Sequence, residues 1–409
     1  MTTIAFVTPW YGENVPGGAE AQTRQTAVHL HAVGIPVEIL TTCARDLYSD
    51  WSHNHHRPGV ELVQGIPVRR FPVQPRDKAA FDAVNWRLIH KLPITADQER
   101  TFLTEMIRVP ALYDYMRQQQ ERYLFIFIPY MFATTVYGAA IAPERSLMIP
   151  CLHDEPYLRL AGYREPVQQV KGLLFFTEAE AKLADTFFPD HNGQIRQVVG
   201  GGMDTDVEAS ATRFWQQFGA KMGEKRPFIL YAGRREISKN TPLLLDYWAR
   251  YQQENGRSVN LVLIGSGDIA VPSAAQGSVI DLGYVSEQAR WDAFAAATVF
   301  CQPSVHESFS RVIMESWLTE TPVLVHGHCA VMKEHCQRAN GGLYFTNYDE
   351  FAATLDYLLE ERETAVRLGQ QGRRYVLAHF QWPHIIAQLR RIFAQLDPTF
   401  AVEEEEMGR

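Results

Sequence analysis

Val299-Phe300-Cys301-Gln302-Pro303-Ser304-Val305-His306-Glu307-Ser308-Phe309-Ser310-Arg311-Val312-Ile313-Met314-Glu315 reads as a strand, a loop of small residues and the opening of a helix. The first residues form a short apolar-rich run with little polar alternation, as a strand covered on both faces requires. Ser310 has the side chain of a good N-cap, and Arg311, Val312 and Ile313 would open the helix. Strand, loop and helix in this order make one β/α unit, and the same alternation recurs along the chain.

Working outward, apolar runs at 228–232, 260–264, 279–282, 298–302, 322–325 and 342–345 form one series that starts after Lys225-Arg226-Pro227. Another series, at 4–9, 37–42, 124–129, 147–152, 173–177 and 195–199, fills the first half. Helical patterns lie between them, as at 19–32 and 101–119, while 58–63 and 66–71 read as two strands flanking a turn. Two such series, with a break near residues 205–226, predict an α/β protein of two Rossmann-like, doubly wound domains. The expected boundaries are 1–204 and 205–381, followed by a helix at 382–397 that packs back on the first domain and an acidic tail at 398–409. That helix follows the interruption His379-Phe380-Gln381-Trp382 and has an apolar face of Ile385, Ile386, Leu389, Ile392, Phe393 and Leu396.

Composition sets outer limits. A length of 409 residues suits two domains, and 46% hydrophobic with 21% charged residues is a globular profile. A net charge of -8 argues against a partner recognised through a nucleic-acid backbone. The five cysteines are scattered and odd in number, which points to a reducing, cytoplasmic setting rather than a disulfide framework. Thr2-Thr3-Ile4-Ala5-Phe6-Val7-Thr8 reads as a first strand, with no basic segment of a signal peptide. No apolar run is long enough to span a membrane, which leaves peripheral membrane contact open. Glu403-Glu404-Glu405-Glu406 reads as a solvated, frayed end.

Glu307 and Glu315 stand eight positions apart. N–H groups at the start of the helix, with its dipole, can hold phosphate oxygens, which nominates Ser310, Arg311 and Val312. Glu315, about one turn in, can accept hydrogen bonds from ribose hydroxyls, and Glu307 can reach another part of the same ligand. Two glutamates on a solvated helix would give the same spacing.

The pattern resembles the Glu–seven residues–Glu motif of retaining glycosyltransferases of glycosyltransferase family 4, which have the GT-B fold. Pro303-Ser304 before it and Thr321-Pro322-Val323 after it match that family, whereas Ser308 and Ser310 stand where the family commonly has glycines. Tyr231-Ala232-Gly233-Arg234-Arg235-Glu236-Ile237-Ser238-Lys239-Asn240 resembles the family's Gly-Arg…Lys segment. The resemblance implies Arg234 and Lys239 on the donor diphosphate, where fixed cations stabilise leaving-group charge. Leu261-Val262-Leu263-Ile264-Gly265-Ser266-Gly267-Asp268 is a strand ending in small residues that admit close backbone approach. Leu282-Gly283-Tyr284-Val285 matches the next strand exit and places Tyr284 and Val285 near the nucleotide base.

In the first half, Pro16-Gly17-Gly18-Ala19-Glu20 opens a helix after the first strand, and its glycines would let a ligand approach the helix N-terminus. His153-Asp154-Glu155 follows a strand, and by resemblance His153 faces the transferred sugar. Thr177-Glu178-Ala179-Glu180 resembles the family's Ser/Thr-Glu segment, a cap and first helical turn, and Gly200-Gly201-Gly202-Met203-Asp204 resembles its Gly-Val-Asp turn at the domain junction, which implies Gly202 near the cleft. His326, His328, Cys329, His335 and Cys336 have residue types that suit zinc but no paired spacing, so the expectation is no bound metal and no cofactor beyond the nucleotide sugar.

The resemblance implies two domains facing a cleft, donor on the second and acceptor on the first. The activity implied is transfer of a hexose-type sugar, with retention, from a UDP- or GDP-sugar to a hydroxyl acceptor in glycan or glycoconjugate biosynthesis. Glu307, His153, Arg234 and Lys239 are the catalytic candidates. The donor-binding candidates are Gly17, Gly18, Gly233, Gly265, Tyr284, Val285, Ser310, Arg311, Val312 and Glu315. The acceptor is open among a glycan, a lipid-linked glycan, a small metabolite and a protein, with Tyr11, Trp51, His55, Trp86 and Tyr130 as candidate acceptor-side residues. A nucleotide-sugar epimerase and a non-catalytic nucleotide-sugar binder remain alternatives. A dinucleotide dehydrogenase is disfavoured, because no Gly-x-Gly-x-x-Gly follows the first strand.

Overall fold

The computed structural model describes residues 2–190, 193–268 and 270–401, so the acidic run at 403–406 lies outside the described residues. The chain divides into two compact units, Met1–Gly202 with Trp382–Arg409, and Met203–Gln381.

The first unit is built on β1 (Thr3–Val7), β2 (Val37–Thr42), β3 (Gly59–Val63), β4 (Ile66–Phe71), β5 (Tyr123–Phe127), β6 (Ser146–Met148), β7 (Gly172–Phe175) and β8 (Ile195–Val198). They lie in the order β3-β4-β2-β1-β5-β6-β7-β8. All neighbours are parallel except β3 and β4. Every residue of β2 and β5 is buried, which is why these runs lack polar alternation. The β3/β4 hairpin closes between Val63 and Ile66 through Gln64 and Gly65, with φ of 52° and 80°, the positive pair that a two-residue hairpin turn demands.

The helical pattern expected at 101–119 is two helices, Ala96–Thr104 and Pro110–Gln119. Pro110 sits at the first turn of the second, where its missing N–H costs nothing, and it forces Val109 out of helical geometry (ψ 59°). The first begins earlier than periodicity suggests because Thr95 and Gln98 form a reciprocal capping box.

The helix Trp382–Leu396 belongs to this unit and buries Trp382, Ile385, Ile386, Leu389, Ile392 and Phe393. Trp382 stacks on His29 of the helix Gly18–Ala32, with ring centroids 4.2 Å apart and planes 17° from parallel. The same indole covers Gly202, where a Cβ would lie 2.3 Å from a ring carbon, so Gly202 serves packing rather than a ligand.

The second unit has six strands, β9 (Phe228–Ala232), β10 (Asn260–Ile264), β11 (Val279–Gly283), β12 (Val299–Gln302), β13 (Val323–His326) and β14 (Gly342–Phe345). All are parallel, in the order β11-β10-β9-β12-β13-β14. Counted from β9 this is the doubly wound order 3-2-1-4-5-6, which reverses between β9 and β12. The loops that leave those two strands run in opposite directions and open a crevice at the carboxyl edge, where ligands bind in such sheets. Among the described residues no helix is long and apolar enough to cross a membrane.

Candidate functional site

The residues nominated in the second half converge on that reversal. From β9 the chain passes through Gly233, Arg234 and Arg235 into the 3-10 turn Ile237–Lys239 and the helix Thr241–Asn255. From β12 it passes through Pro303 and Ser304 to the helix Arg311–Leu318. Two bonds tie these exits together. Asn240, in a left-handed conformation, donates its side-chain amide to the Pro303 carbonyl (3.0 Å). Lys239 Nζ lies 2.7 Å from Glu307 Oε1, which also accepts from Gln302 Nε2 at 3.3 Å. Phe309 anchors the second loop, buried edge-on against Phe380 (5.1 Å) and His335 (5.7 Å).

Ser310 occupies the N-cap position but does not cap. Its backbone is left-handed (φ 60°, ψ 67°) and the side chain makes no cap bond. The expected N-cap is corrected here because that conformation turns the hydroxyl away from the first-turn N–H groups. Ser310 Oγ is buried with no hydrogen-bond partner among the described residues. A buried hydroxyl without a protein partner is costly, and water or a polar ligand atom completes its bonding. Arg311 and Val312 follow, each half-buried.

Glu315 is buried, and its Oε2 accepts from Arg290 Nη1 at 2.8 Å. Arg290 also lies 3.8 Å from Glu287. Sequence reasoning missed Arg290, because a single arginine in the helix Glu287–Ala296 carries no signal that it points at a carboxylate 25 positions away.

The two arginines after β9 differ sharply. Arg235 is buried, ion-paired with Asp281, and donates to the Gly265 carbonyl at 2.8 Å. Arg234 is partly exposed, with Nη2 3.4 Å from Glu236. Gly265 lets the loops after β9 and β10 approach closely. A Cβ there would fall 1.9 Å from the Gly233 carbonyl oxygen, so the bare face is filled by the chain itself. Gly233 returns the contact by donating its N–H to Ile264 O at 3.0 Å. Beyond β11, Tyr284 is 87% exposed and Val285 half-buried.

In the first unit, Gly17 lies at the start of the helix Gly18–Ala32 with φ 140°. Glu20 folds over Gly17, where a Cβ would lie 1.9 Å from Oε2, and accepts Trp10 Nε1–H at 2.7 Å. Gly18 is exposed, and a Cβ there meets nothing within 4 Å. His153 is half-buried, with Nδ1 3.5 Å from Glu155 Oε1. Of the aromatics considered for the acceptor, Tyr11, Trp51 and Tyr130 are buried, while Trp86 and His55 are exposed.

The histidines and cysteines at 326–336 form no ligand set. Among the described residues no group of three His, Cys, Asp or Glu is placed to hold a metal ion. His335 instead meets Tyr375 Oη at 3.1 Å, and burial pushes its pKa down to about 3. His326 packs on Phe345, and burial pushes its pKa down to about 4.

Residues 215–375 match the family model described as glycosyl transferases group 1. That segment, most of the second unit, is where the chain is similar to that family. The chain is 27% identical over 195 residues to the trehalose synthase of Rubrobacter xylanophilus, covering 44% of this chain and 46% of that protein. It therefore spans about half the length of that relative. It is 23% identical over 429 residues to the D-inositol 3-phosphate glycosyltransferase of Gordonia bronchialis, covering 97% of this chain and 88% of that protein. The solved structure of Anabaena HepE in complex with UDP and glucose superposes with a TM-score of 0.69 at 16% identity, covering 97% of this chain and all (100%) of that one. The fold is GT-B.

Proposed function

We propose that this glycosyltransferase belongs to family 4 and moves a hexose-type sugar, with retention, from a UDP- or GDP-sugar to a hydroxyl acceptor. The observation that carries this reading is the Lys239–Glu307 pair at the strand reversal, with Glu307 four positions before the uncapped start of the helix Arg311–Leu318.

An ammonium has three donors, and Glu307 takes one of them at 2.7 Å. The remaining two suit phosphate oxygens. Arg234 and the helix N-terminus add to the field in which a diphosphate leaves. Glu315 takes the ribose hydroxyls, its carboxylate aimed by Arg290. Glu307 contacts the sugar next to the diphosphate, and the resemblance to family 4 assigns His153 to the transferred sugar. No side chain need bond to the anomeric carbon. The departing phosphate oxygen takes the acceptor proton on the face it leaves, which retains configuration. The donor is held without a metal ion, so a chelator leaves turnover unchanged. HepE, solved with UDP and glucose, supports a uridine donor as the first to try.

The test is turnover across uridine-, guanosine- and adenosine-diphosphate sugars, following free nucleoside diphosphate and the anomeric configuration of the product, with Glu307→Ala alongside. Diphosphate release from one donor, absent in the variant, is the expected result. Interconversion of the sugar with the diphosphate intact would establish an epimerase. Binding of a donor without release, in the presence of polyol, glycan and lipid-linked acceptors, would point to a non-catalytic binder.

A further inference from the structure

Thr177-Glu178-Ala179-Glu180 has the spacing of a capping box, in which the carboxylate at the third helical position reaches back to the N-cap N–H. The first half of the box forms: Thr177 Oγ1 accepts from Glu180 N at 3.1 Å. The second half does not. Glu180 Oε2 accepts instead from Phe176 N, and Oε1 from Leu152 N, both at 2.8 Å. Leu152 lies in the segment leaving β6 and Phe176 directly follows β7, and the two strands are hydrogen-bonded neighbours. One carboxylate therefore ties two adjacent strand exits at the edge of the sheet where ligands bind. It is only 1% exposed, and burial pushes its pKa up to about 7. A group this costly to bury persists where its hydrogen bonds hold something in place.

Leu152 is the residue immediately before His153, and Cys151 before it is left-handed (φ 56°). The peptide that carries His153 is thus fixed by Glu180, while the ring is met by Glu155. We propose that Glu180 is a positioning residue for His153, holding the 151–153 backbone so that the imidazole is presented to the transferred sugar. The inference rests on the reading of His153 given above.

The test combines backbone amide exchange with a double-mutant cycle of His153→Ala and Glu180→Gln. The substituted amide side chain keeps one acceptor oxygen, so folding is retained, and cooperative thermal unfolding checks it. Exchange at Leu152 or Phe176 should quicken at least about 10-fold in Glu180→Gln, since one of the two amides loses its acceptor. The kcat should fall about 100-fold, as for a catalytic group displaced by around 1 Å, with little change in donor KM. The double variant should be no slower than His153→Ala within about 3-fold, because the clamp has nothing left to position. Unchanged exchange at both amides overturns the inference and leaves the functional reading intact. Losses that multiply fully in the double variant also overturn it. Full activity of His153→Ala would instead remove the functional reading on which the inference stands.

Discussion

Gly265→Ala should unfold the second unit at markedly lower temperature and loosen its grip on a nucleoside diphosphate. The new Cβ would begin 1.9 Å from the Gly233 carbonyl oxygen, at a φ of 129° that side chains rarely adopt. Neither partner can yield alone. Gly233 N donates to Ile264 O (3.0 Å), Gly265 N to Gly283 O (2.9 Å) and Arg235 N to Ser266 O (2.8 Å), so the loops after β9, β10 and β11 are laced together. Separating them to ordinary contact distance breaks two or three of these bonds, at about 1 kcal/mol each. The unfavourable backbone adds about 1–2 kcal/mol. A total of about 3–5 kcal/mol corresponds to a fall of roughly 10 °C in the melting temperature of a unit this size. The displaced loop carries Arg234 and Lys239, so diphosphate affinity should fall along with stability. Gly277→Ala is the control, since a Cβ there meets nothing within 4 Å and its backbone is not left-handed. The assay is thermal unfolding of both variants with and without nucleoside diphosphate. If Gly265→Ala melts within about 2 °C of Gly277→Ala, the close loop contact does not exist as described.

Further perturbations bear on the same site. Arg290→Met leaves the buried Glu315 without its cation and should weaken nucleoside diphosphate binding by about 10- to 150-fold, the worth of one charged hydrogen bond; a 2′,3′-dideoxy analogue should be affected far less in calorimetry. Lys239→Met should cut kcat by about 100-fold or more, and combining it with Glu307→Gln should cost less than the product of the two losses, measured by initial rates with saturating donor. Trp382→Ala opens a cavity between the helices Trp382–Leu396 and Gly18–Ala32 and should cost about 3–5 kcal/mol in urea unfolding. Glu180 has a folded pKa raised from 4.5 to about 7, so its neutral form favours folding below pH 4.5 and that advantage is lost as pH rises through 7. The stability of the wild type relative to Glu180→Gln should therefore fall by about 3 kcal/mol between pH 4.5 and pH 8, read from urea midpoints.

How much of this was legible in the sequence depends on the range of the interaction. β2, β9, β10 and β14 could be read residue for residue, because each is a short apolar run bounded by turn-forming or polar residues. The split near Pro110 was missed because apolar spacing continues across it, while the backbone responds to one absent N–H. Ser310 illustrates the opposite limit. The residue type favours capping, yet the loop drawn down by Phe309 imposes a left-handed backbone that turns the hydroxyl elsewhere. Glu180 reads as half of a local capping box, and only the β6–β7 pairing, invisible in the sequence, brings Leu152 within its reach.

The site residues that sequence could name are those whose chemistry is concentrated in one segment, as in 306–315. Their supports are scattered: Asn240 meets the Pro303 carbonyl across 63 positions, Arg290 meets Glu315 across 25, and Glu180 meets Leu152 across 28. Each of these bonds joins two exits or helices at the carboxyl edge of a parallel sheet. Parallel strands make this unavoidable, since every strand returns only after a crossover, and groups adjacent in space are then separated by a helix in sequence. A Rossmann-like site is therefore read most easily from the groups that would touch the ligand. The groups that aim them become visible only when strand order is known, and in this protein Arg290 and Glu180 are two of them.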